Sequence, residues 1–336
     1  MVERNPEAEK QFVATTYIDL GRHGSRYGGE RKITFSDGSI ITFKDPTDLT
    51  PAGKQMSREF GEAYPPEVTL VHPRGGDESR HGETGEDILK GSGRFGVGRL
   101  SKDLGPARVR NGKGKVIGTR RGIGVDYKGA GLLDKFRAEM ELVSTEISRL
   151  VSGLSPEEQE RFKQDPEFRV KYVEMAQNIA FRKAMQKEPE VRTMAENEAY
   201  ELMKTLELSR RGVKGGETKA IPIVGSGMFA ESLYKYALVV EDEKTGERKI
   251  GFDDVDEIGG FTSQATALRL KLQRDTRLGD PRNIADFTRD TEISCEFTDP
   301  ARAKLFEGKK VSLDWDKIIE LAAAAQTKFE AEDAQH

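Results

Sequence analysis

Short runs of β-branched and aromatic residues without helical periodicity mark the strands that the chain should form. The first run covers 12–18, and later runs cover 68–71, 220–224, 265–272 and 292–297. Residues of these types fit a pleated, buried surface better than they fit a helix. Segments with helical spacing separate several of the runs, and such alternation is typical of an α/β fold.

The pattern changes over residues 132–211, where apolar side chains recur at helical spacing. The first helix of this segment is indicated by Leu133, Phe136, Met140, Val143, Ile147 and Leu150. Ser155-Pro156 and Asp165-Pro166 each combine an N-cap residue with proline at the first helical position, so each predicts a new helix. We therefore predict a helical insertion at 132–211 between two parts of an α/β core, 1–131 and 212–336.

Residues 31–44 contain two short β-rich runs around Asp37-Gly38. An Asp-Gly pair between such runs is a strong signal for a β-hairpin, because both residues tolerate the backbone of a tight turn. The hairpin follows the segment around His23 closely, so it could overhang a site there. A surface hairpin without a functional role is the alternative.

Bulk properties exclude several classes of protein. No apolar run is long enough to span a bilayer, and the polar start of the chain does not resemble a signal peptide. We expect a soluble, cytoplasmic protein without an internal disulfide, since Cys295 is the one cysteine. The formal net charge of −4 disfavours attraction of the whole protein to nucleic acid.

The first strand ends in Gly21-Arg22-His23-Gly24. Glycine permits a backbone turn that other residues resist. The strand therefore delivers a cation and an imidazole to the carboxyl edge of a sheet, where α/β folds gather their ligands. Arg22 and His23 are the first candidate site residues.

The Arg22-His23-Gly24 sequence resembles the signature of the histidine phosphatase (phosphoglycerate mutase-like) superfamily. In residues 49–56, Thr50 is a natural N-cap and Pro51 suits the first helical position, so a helix should start there. These residues strengthen the resemblance, because Leu-Thr-x-x-Gly-x-x-Gln opens the first helix in many members. Arg80 and Thr84 match a third feature, an arginine at a helix start four residues before a threonine. The resemblance implies a three-layer α/β/α sandwich with a mostly parallel central sheet and a helical cap at 132–211.

The same resemblance implies roles for these residues. His23 would attack phosphorus, while Arg22 and Arg80 would bind the phosphoryl oxygens, and Arg26 would add a third cation. A helix N-terminus such as the one at Arg80 suits phosphate, because its free N–H groups and its dipole attract anions. No metal and no organic cofactor is implied, and the substrate would be a phosphorylated small molecule or a phosphoprotein.

The sequence departs from the superfamily at the late strand 220–224. Its second catalytic histidine is expected just after that strand, where the chain has Ser226. In the phytase-like branch the proton-donating acid follows that histidine, and here the position is Gly227. Asp126 is the remaining candidate acid. Two hypotheses follow: a phosphohydrolase with weak or altered catalysis through phospho-His23, or an inactive pseudophosphatase that binds phosphate or a protein partner.

The segment 91–131 is rich in glycine and in positive charge. Its basic residues are Arg94, Arg99, Lys102, Arg108, Arg110, Lys113, Lys115, Arg120, Arg121 and Lys128. Such a loop could attract anionic substrates or a nucleic-acid backbone. A solvated loop balanced by acidic helices is the alternative. Nucleic-acid binding, less favoured than the two hypotheses above, would involve only residues 94–128.

Overall fold

The structure is a computed structural model of the chain. It describes the residues 11–27, 30–34, 38–46, 48–71, 73–75, 79–94, 107–110, 116–120, 137–225, 227–279 and 287–334. The described strands are β1 Val13–Arg22, β2 Glu30–Thr34, β3 Ile40–Lys44, β4 Leu70–Val71, β5 Arg74–Gly75, β6 Ala107–Arg110, β7 Val116–Arg120, β8 Thr218–Gly225, β9 Leu238–Asp242, β10 Arg248–Ile250, β11 Ala267–Asp275, β12 Thr291–Phe297 and β13 Lys309–Leu313.

The described helices lie between these strands and after the last one. They are α1 Pro51–Glu62, α2 Ser79–Ser92, α3 Arg137–Ser152, α4 Pro156–Gln164, α5 Pro166–Ala184, α6 Glu188–Gly212, α7 Phe229–Ala237, α8 Phe287–Asp290, α9 Pro300–Leu305 and α10 Trp315–Ala334, with a 3-10 helix at Val255–Ile258. None of the helices in the described part of the chain is long and apolar enough to cross a membrane.

A central sheet with the order β12-β11-β1-β8-β4 organises the molecule, and β5 also pairs with β8. Strands β1, β4 and β5 all run parallel to β8, whereas β11 runs antiparallel to both β1 and β12. In this register Arg22 lies opposite Gly225 and Arg74 lies opposite Ile223. The carboxyl ends of β1, β5 and β8 therefore meet at one edge of the sheet.

Helices cover both faces of this sheet, because successive strand residues point to opposite sides. Ile18 and Leu20 of β1 pack into a buried core with α6, α7 and α10. Tyr17, which directly precedes Ile18, points to the other side and packs there with Tyr64, just after α1, and with Ile88 of α2. The predicted three-layer α/β/α sandwich with a mainly parallel sheet is confirmed.

Helices α3, α4 and α5 form a separate buried core together with the hairpin β2–β3. Ile33 and Phe43 of the hairpin pack there against Val143, Phe162 and Tyr172. The hairpin predicted around Gly38 is confirmed, and its apolar face packs into this core. Helices α3–α5 and the hairpin β2–β3 are together called the helical unit. Helix α6, also inside the predicted insertion, packs against α7 and α10 of the sandwich. The division of the chain at 132–211 stays a prediction.

Candidate functional site

The carboxyl end of β1 places Arg22 and His23 between two neighbouring strands. The His23 N–H donates to the Gly225 carbonyl (3.1 Å), and the Arg22 N–H donates to the Thr266 carbonyl (3.2 Å). Both residues are buried: Arg22 is 9% exposed and His23 is 4% exposed. The site predicted from the sequence is thus a buried, backbone-anchored pair at the expected edge of the sheet.

Gly24 continues the turn in direct contact with the start of α1. A Cβ at Gly24 would lie 2.5 Å from the Gly53 carbonyl oxygen, and a Cβ at Gly53 would lie 2.0 Å from the Ser25 carbonyl oxygen. Thr50 caps α1 as predicted, because its hydroxyl accepts from the Gly53 N–H (2.9 Å) while its own N–H donates to Ser25 (2.9 Å). The turn and the helix start therefore lock together backbone to backbone.

Helix α2 reaches the same turn. The Gly24 N–H donates to the Thr84 hydroxyl at 3.2 Å, and Thr84 is almost completely buried. The backbone of Arg80 lies in the first turn of α2, one turn before Thr84. The side chain of Arg80 lies outside the described residues. Of the pair predicted at this helix start, Thr84 is in hydrogen-bond contact with the turn that follows His23.

The His23 ring has a defined hydrogen-bonding direction. Its Nδ1 lies 2.7 Å from the Gly24 carbonyl oxygen. A carbonyl oxygen only accepts, so Nδ1 carries the proton and, in the neutral ring, the lone pair belongs to Nε2. This tautomer gives the imidazole a nucleophilic nitrogen on the side away from its own backbone.

A buried polar network holds the loop that contacts Arg22. The Arg22 Nη1 donates to the Thr262 carbonyl (3.4 Å), and the N–H and hydroxyl of Thr262 both donate to the Glu231 carboxylate. Arg302 adds bonds to the Thr262 hydroxyl (3.1 Å) and the Gly260 carbonyl (2.6 Å). Glu231 is only 1% exposed. No local sequence signal predicts this network, because Glu231, Thr262 and Arg302 come from three separate segments.

The helical unit touches the site through Glu174 of α5. Its Oε1 accepts from the Ser25 hydroxyl at 3.0 Å and from the Gln264 amide at 2.5 Å. The next residue, Ala265, donates its N–H to the carbonyls of Arg22 (3.2 Å) and His23 (3.4 Å). Ala265 has a φ of 52°, a left-handed conformation that is rare for a residue other than glycine. Strained backbone of this kind often marks functional sites.

Gly227 occupies the position at which the phytase-like branch would carry its acid. A Cβ there would lie 2.8 Å from the Phe181 ring and 3.4 Å from the Arg22 guanidinium carbon. Phe181, from α5, also packs edge-on against Phe261 (5.9 Å between ring centres). The space next to Arg22 that an acidic side chain would need is therefore filled by an aromatic ring.

Of the three remaining predicted site residues, Arg26 is described by the structure, whereas Ser226 and Asp126 are not. Arg26 forms a β-bridge with Leu49, and its Nη1 donates to the Tyr27 carbonyl (3.4 Å). Ser226 and Asp126 both lie outside the described residues, as does most of the basic segment. Their predicted roles stay predictions.

A second buried polar cluster joins β5 to α6. Arg74 forms an ion pair with Glu201 (2.5 Å) and donates to the Thr205 hydroxyl (2.9 Å). Glu198 lies nearby, and its Oε2 has no hydrogen-bond partner among the described residues. Burial, with smaller contributions from the charges of Glu201 and Glu231, raises the pKa of Glu198 to about 8.

The sequence carries a signal for this second cluster. Glu198 lies four residues after Met194 and four before Leu202, both fully buried, so it interrupts an apolar stripe on α6. A carboxyl group on such a stripe indicates a buried polar site.

Two other observations limit the chemistry of the described residues. They contain no group of three or more histidine, cysteine, aspartate or glutamate side chains placed to hold a metal ion. Burial raises the pKa of the Cys295 thiol to about 12. Because a thiolate is the reactive form of cysteine, this thiol is suited to packing rather than to nucleophilic chemistry.

Comparisons with known proteins give a distant structural resemblance. No family model and no curated protein matches the sequence. The apo form of Hafnia alvei phytase is 10% identical, covering 94% of this chain and 97% of its own, with a TM-score of 0.41. Citrobacter braakii phytase (10%, 93% and 97%, 0.36) and Klebsiella sp. ASR1 phytase (11%, 90% and 88%, 0.32) are also similar. At these identities and TM-scores the chain is similar to bacterial phytases without a family being established.

Proposed function

We propose that the protein is a phosphohydrolase that acts on phosphomonoesters through a phospho-His23 intermediate. Nε2 of His23 attacks phosphorus, the ester P–O bond breaks, and the departing oxygen takes a proton from an acid, for which Asp126 is the candidate. Water then hydrolyses the phosphohistidine and releases phosphate. Arg22, Arg26 and Arg80 are proposed to bind the phosphoryl oxygens, whose charge must be stabilised in a loose transition state.

The observation that carries this proposal is the orientation of His23. A buried imidazole with Nδ1 directed at a carbonyl presents Nε2 as the nucleophile, and a buried arginine precedes it in the chain. The rigid contacts of Gly24 with α1 and α2 hold this geometry before any substrate arrives. Preorganisation of a nucleophile and cations is what phosphoryl transfer requires of a protein.

Ser226 is proposed to stand where the superfamily has its second histidine. A serine hydroxyl supplies one neutral hydrogen bond and no charge. Removal of one such electrostatic stabiliser typically costs about 10²–10³ in rate. We therefore propose slow turnover compared with an enzyme that has both histidines.

A second candidate function is a pseudophosphatase that binds phosphate, or a phosphorylated partner, without hydrolysing it. The specific observation in its favour is the Phe181 ring in the space beside Gly227. An acid cannot occupy that place unless the ring moves. The proposed cations would still bind a phosphoryl group, so binding would persist when proton donation is lost.

Hydrolysis of p-nitrophenyl phosphate tests the two functions, because its leaving group departs without a proton. Turnover that the His23→Ala substitution abolishes, together with acid-labile phosphate on His23 after rapid quenching, is the expected result. Phosphate binding without turnover would favour the pseudophosphatase. The absence of both binding and turnover would refute the phosphate site itself.

A further inference from the structure

Glu174 is the feature of the site that the proposed phosphohydrolase chemistry does not use. Its carboxylate joins the two loops that flank His23, through Ser25 on one side and Gln264 on the other. Both loops are tied to the backbone of the site, because Ser25 follows Gly24 directly and Ala265 bonds to the carbonyls of Arg22 and His23. A negatively charged group is thus fixed beside a site proposed to bind an anion.

The charge of Glu174 is not neutralised by the described side chains around it. Its hydrogen-bond donors, a hydroxyl and an amide, are neutral, and they share Oε1. Within the described part of the chain, Oε2 has no hydrogen-bond partner, and no lysine or arginine of that part forms an ion pair with Glu174. A partly buried carboxylate in this state favours a cation, because effective dielectric constants near protein surfaces are well below that of water.

The two arginines nearest to Glu174 on α5 are engaged elsewhere. Arg169 makes a two-pronged ion pair with Asp45 (2.5 and 2.9 Å), and Arg182 pairs with Asp256 (2.5 Å) of the 3-10 helix. Neither guanidinium is therefore available to balance the Glu174 carboxylate. The balancing charge can instead come with the substrate.

We infer that Glu174 selects phosphomonoesters whose alcohol part carries an ammonium group close to the phosphoryl group. The same carboxylate disfavours polyanionic phosphates. This inference rests on the proposed phosphate site, but not on turnover. In such a complex the phosphoryl group lies against the proposed arginines, while the ammonium group donates to Glu174 Oε2. A second phosphate in the same place would meet the carboxylate and be repelled.

Calorimetric binding of two hydrolysis-resistant probes tests the inference whether or not the protein is an active enzyme. At pH 7, 2-aminoethylphosphonate carries the ammonium group, and 2-hydroxyethylphosphonate has a neutral hydroxyl in its place. We expect the amino probe to bind about tenfold tighter, a difference of about 1.4 kcal/mol. The Glu174→Gln substitution should reduce this ratio to near one while the hydroxy probe binds as before or more tightly.

Glu167→Gln is the matched control, because Glu167 lies on the same helix seven residues earlier and accepts a hydrogen bond from Tyr27 (3.5 Å). This variant should keep the tenfold ratio. Equal binding of both probes to the unmodified protein, or a ratio that survives Glu174→Gln, would overturn the selection by Glu174 and leave the phosphate site standing. Failure of both probes and of inorganic phosphate to bind would refute the phosphate site and the inference together.

Discussion

At the scale of single residues, hydrogen bonds and burial decide how the polar side chains in and near the site are oriented and stabilised. His23 is oriented by the carbonyl of the residue that follows it, and Glu231 fixes the loop that contacts Arg22. Glu198, in contrast, is not held by hydrogen bonds at both oxygens: its Oε2 is buried without a hydrogen-bond partner among the described residues. Burial of a carboxyl group favours its neutral form.

The pKa of about 8 for Glu198 makes stability depend on pH. The value in the unfolded chain is near the ordinary one, about 4.3. The folded state therefore holds the proton more tightly than the unfolded chain does. The contribution of Glu198 to the free energy of unfolding is fully present below about pH 4 and is lost as the pH rises toward 8. We expect Glu198→Gln, which mimics the neutral acid, to remove this part of the decline and to be the more stable form above pH 8.

Urea unfolding of the unmodified protein and of Glu198→Gln between pH 5 and pH 9 measures how their free energies of unfolding diverge. The divergence should reach a few kcal/mol, because one pKa unit corresponds to about 1.4 kcal/mol. Glu201→Gln is the informative comparison, because it removes the partner of buried Arg74 and should destabilise the protein across the whole range. Parallel pH curves for the unmodified protein and Glu198→Gln would contradict the prediction.

At the scale of elements, the turn after β1 is shaped by its contact with α1. Gly24 and Gly53 face each other so closely that neither position has room for a methyl group. The backbone of the site is therefore positioned by a helix start rather than by side-chain packing.

We expect Gly53→Ala to destabilise the protein by about 1–3 kcal/mol or more, since the new methyl would lie 2.0 Å from the Ser25 carbonyl oxygen. Phosphate binding should weaken as well, because Ser25 lies two residues from His23. Gly82→Ala on α2 is the control: nothing lies within 4 Å of its Cβ, and alanine has the higher helix propensity by about 0.8–1 kcal/mol. Thermal unfolding of the two variants should give shifts of opposite sign.

Much of this element-scale structure could be predicted from sequence, because its signals are local. Thr50-Pro51 predicted the start of α1, and Arg22-His23-Gly24 predicted a site at the end of β1, since caps and turns depend on a few adjacent residues. Glu174 could not be predicted in the same way. It reaches Ser25 from 149 residues away, and its face of α5 is defined only once the helices pack. Arg74 and Glu201, 127 residues apart, were missed for the same reason.

At the scale of the whole molecule, the sandwich and the helical unit have separate buried cores. The sandwich core lies on both faces of the central sheet, and the second core joins α3–α5 to the hairpin β2–β3. The buried pair of Asp45 and Arg169 ties the end of β3 to α5, with both side chains at most 5% exposed. The position of Glu174 over the site therefore depends on the integrity of the second core.

We expect Asp45→Asn to loosen this helical unit by about 3–5 kcal/mol, because it leaves the Arg169 charge buried without its ionised partner. Hydrogen exchange should accelerate in β2, β3 and α3–α5, while β1, β8 and β11 keep their protection. Asp256→Asn, which removes an exposed partner of Arg182, should change stability by less than about 1 kcal/mol. Equal acceleration in the central sheet would show that the two cores unfold as one.

The Phe181 ring beside Gly227 makes two positions of the chain interdependent in evolution. Gly227→Asp alone places a side chain into a ring 2.8 Å from the first added carbon, and Phe181→Ala alone leaves a void next to Phe261. Each single step lowers stability, whereas the pair relieves the clash and fills part of the void, so the two effects should be strongly non-additive. An exchange between glycine and an acid at this position therefore passes through a less stable single variant unless both changes come together.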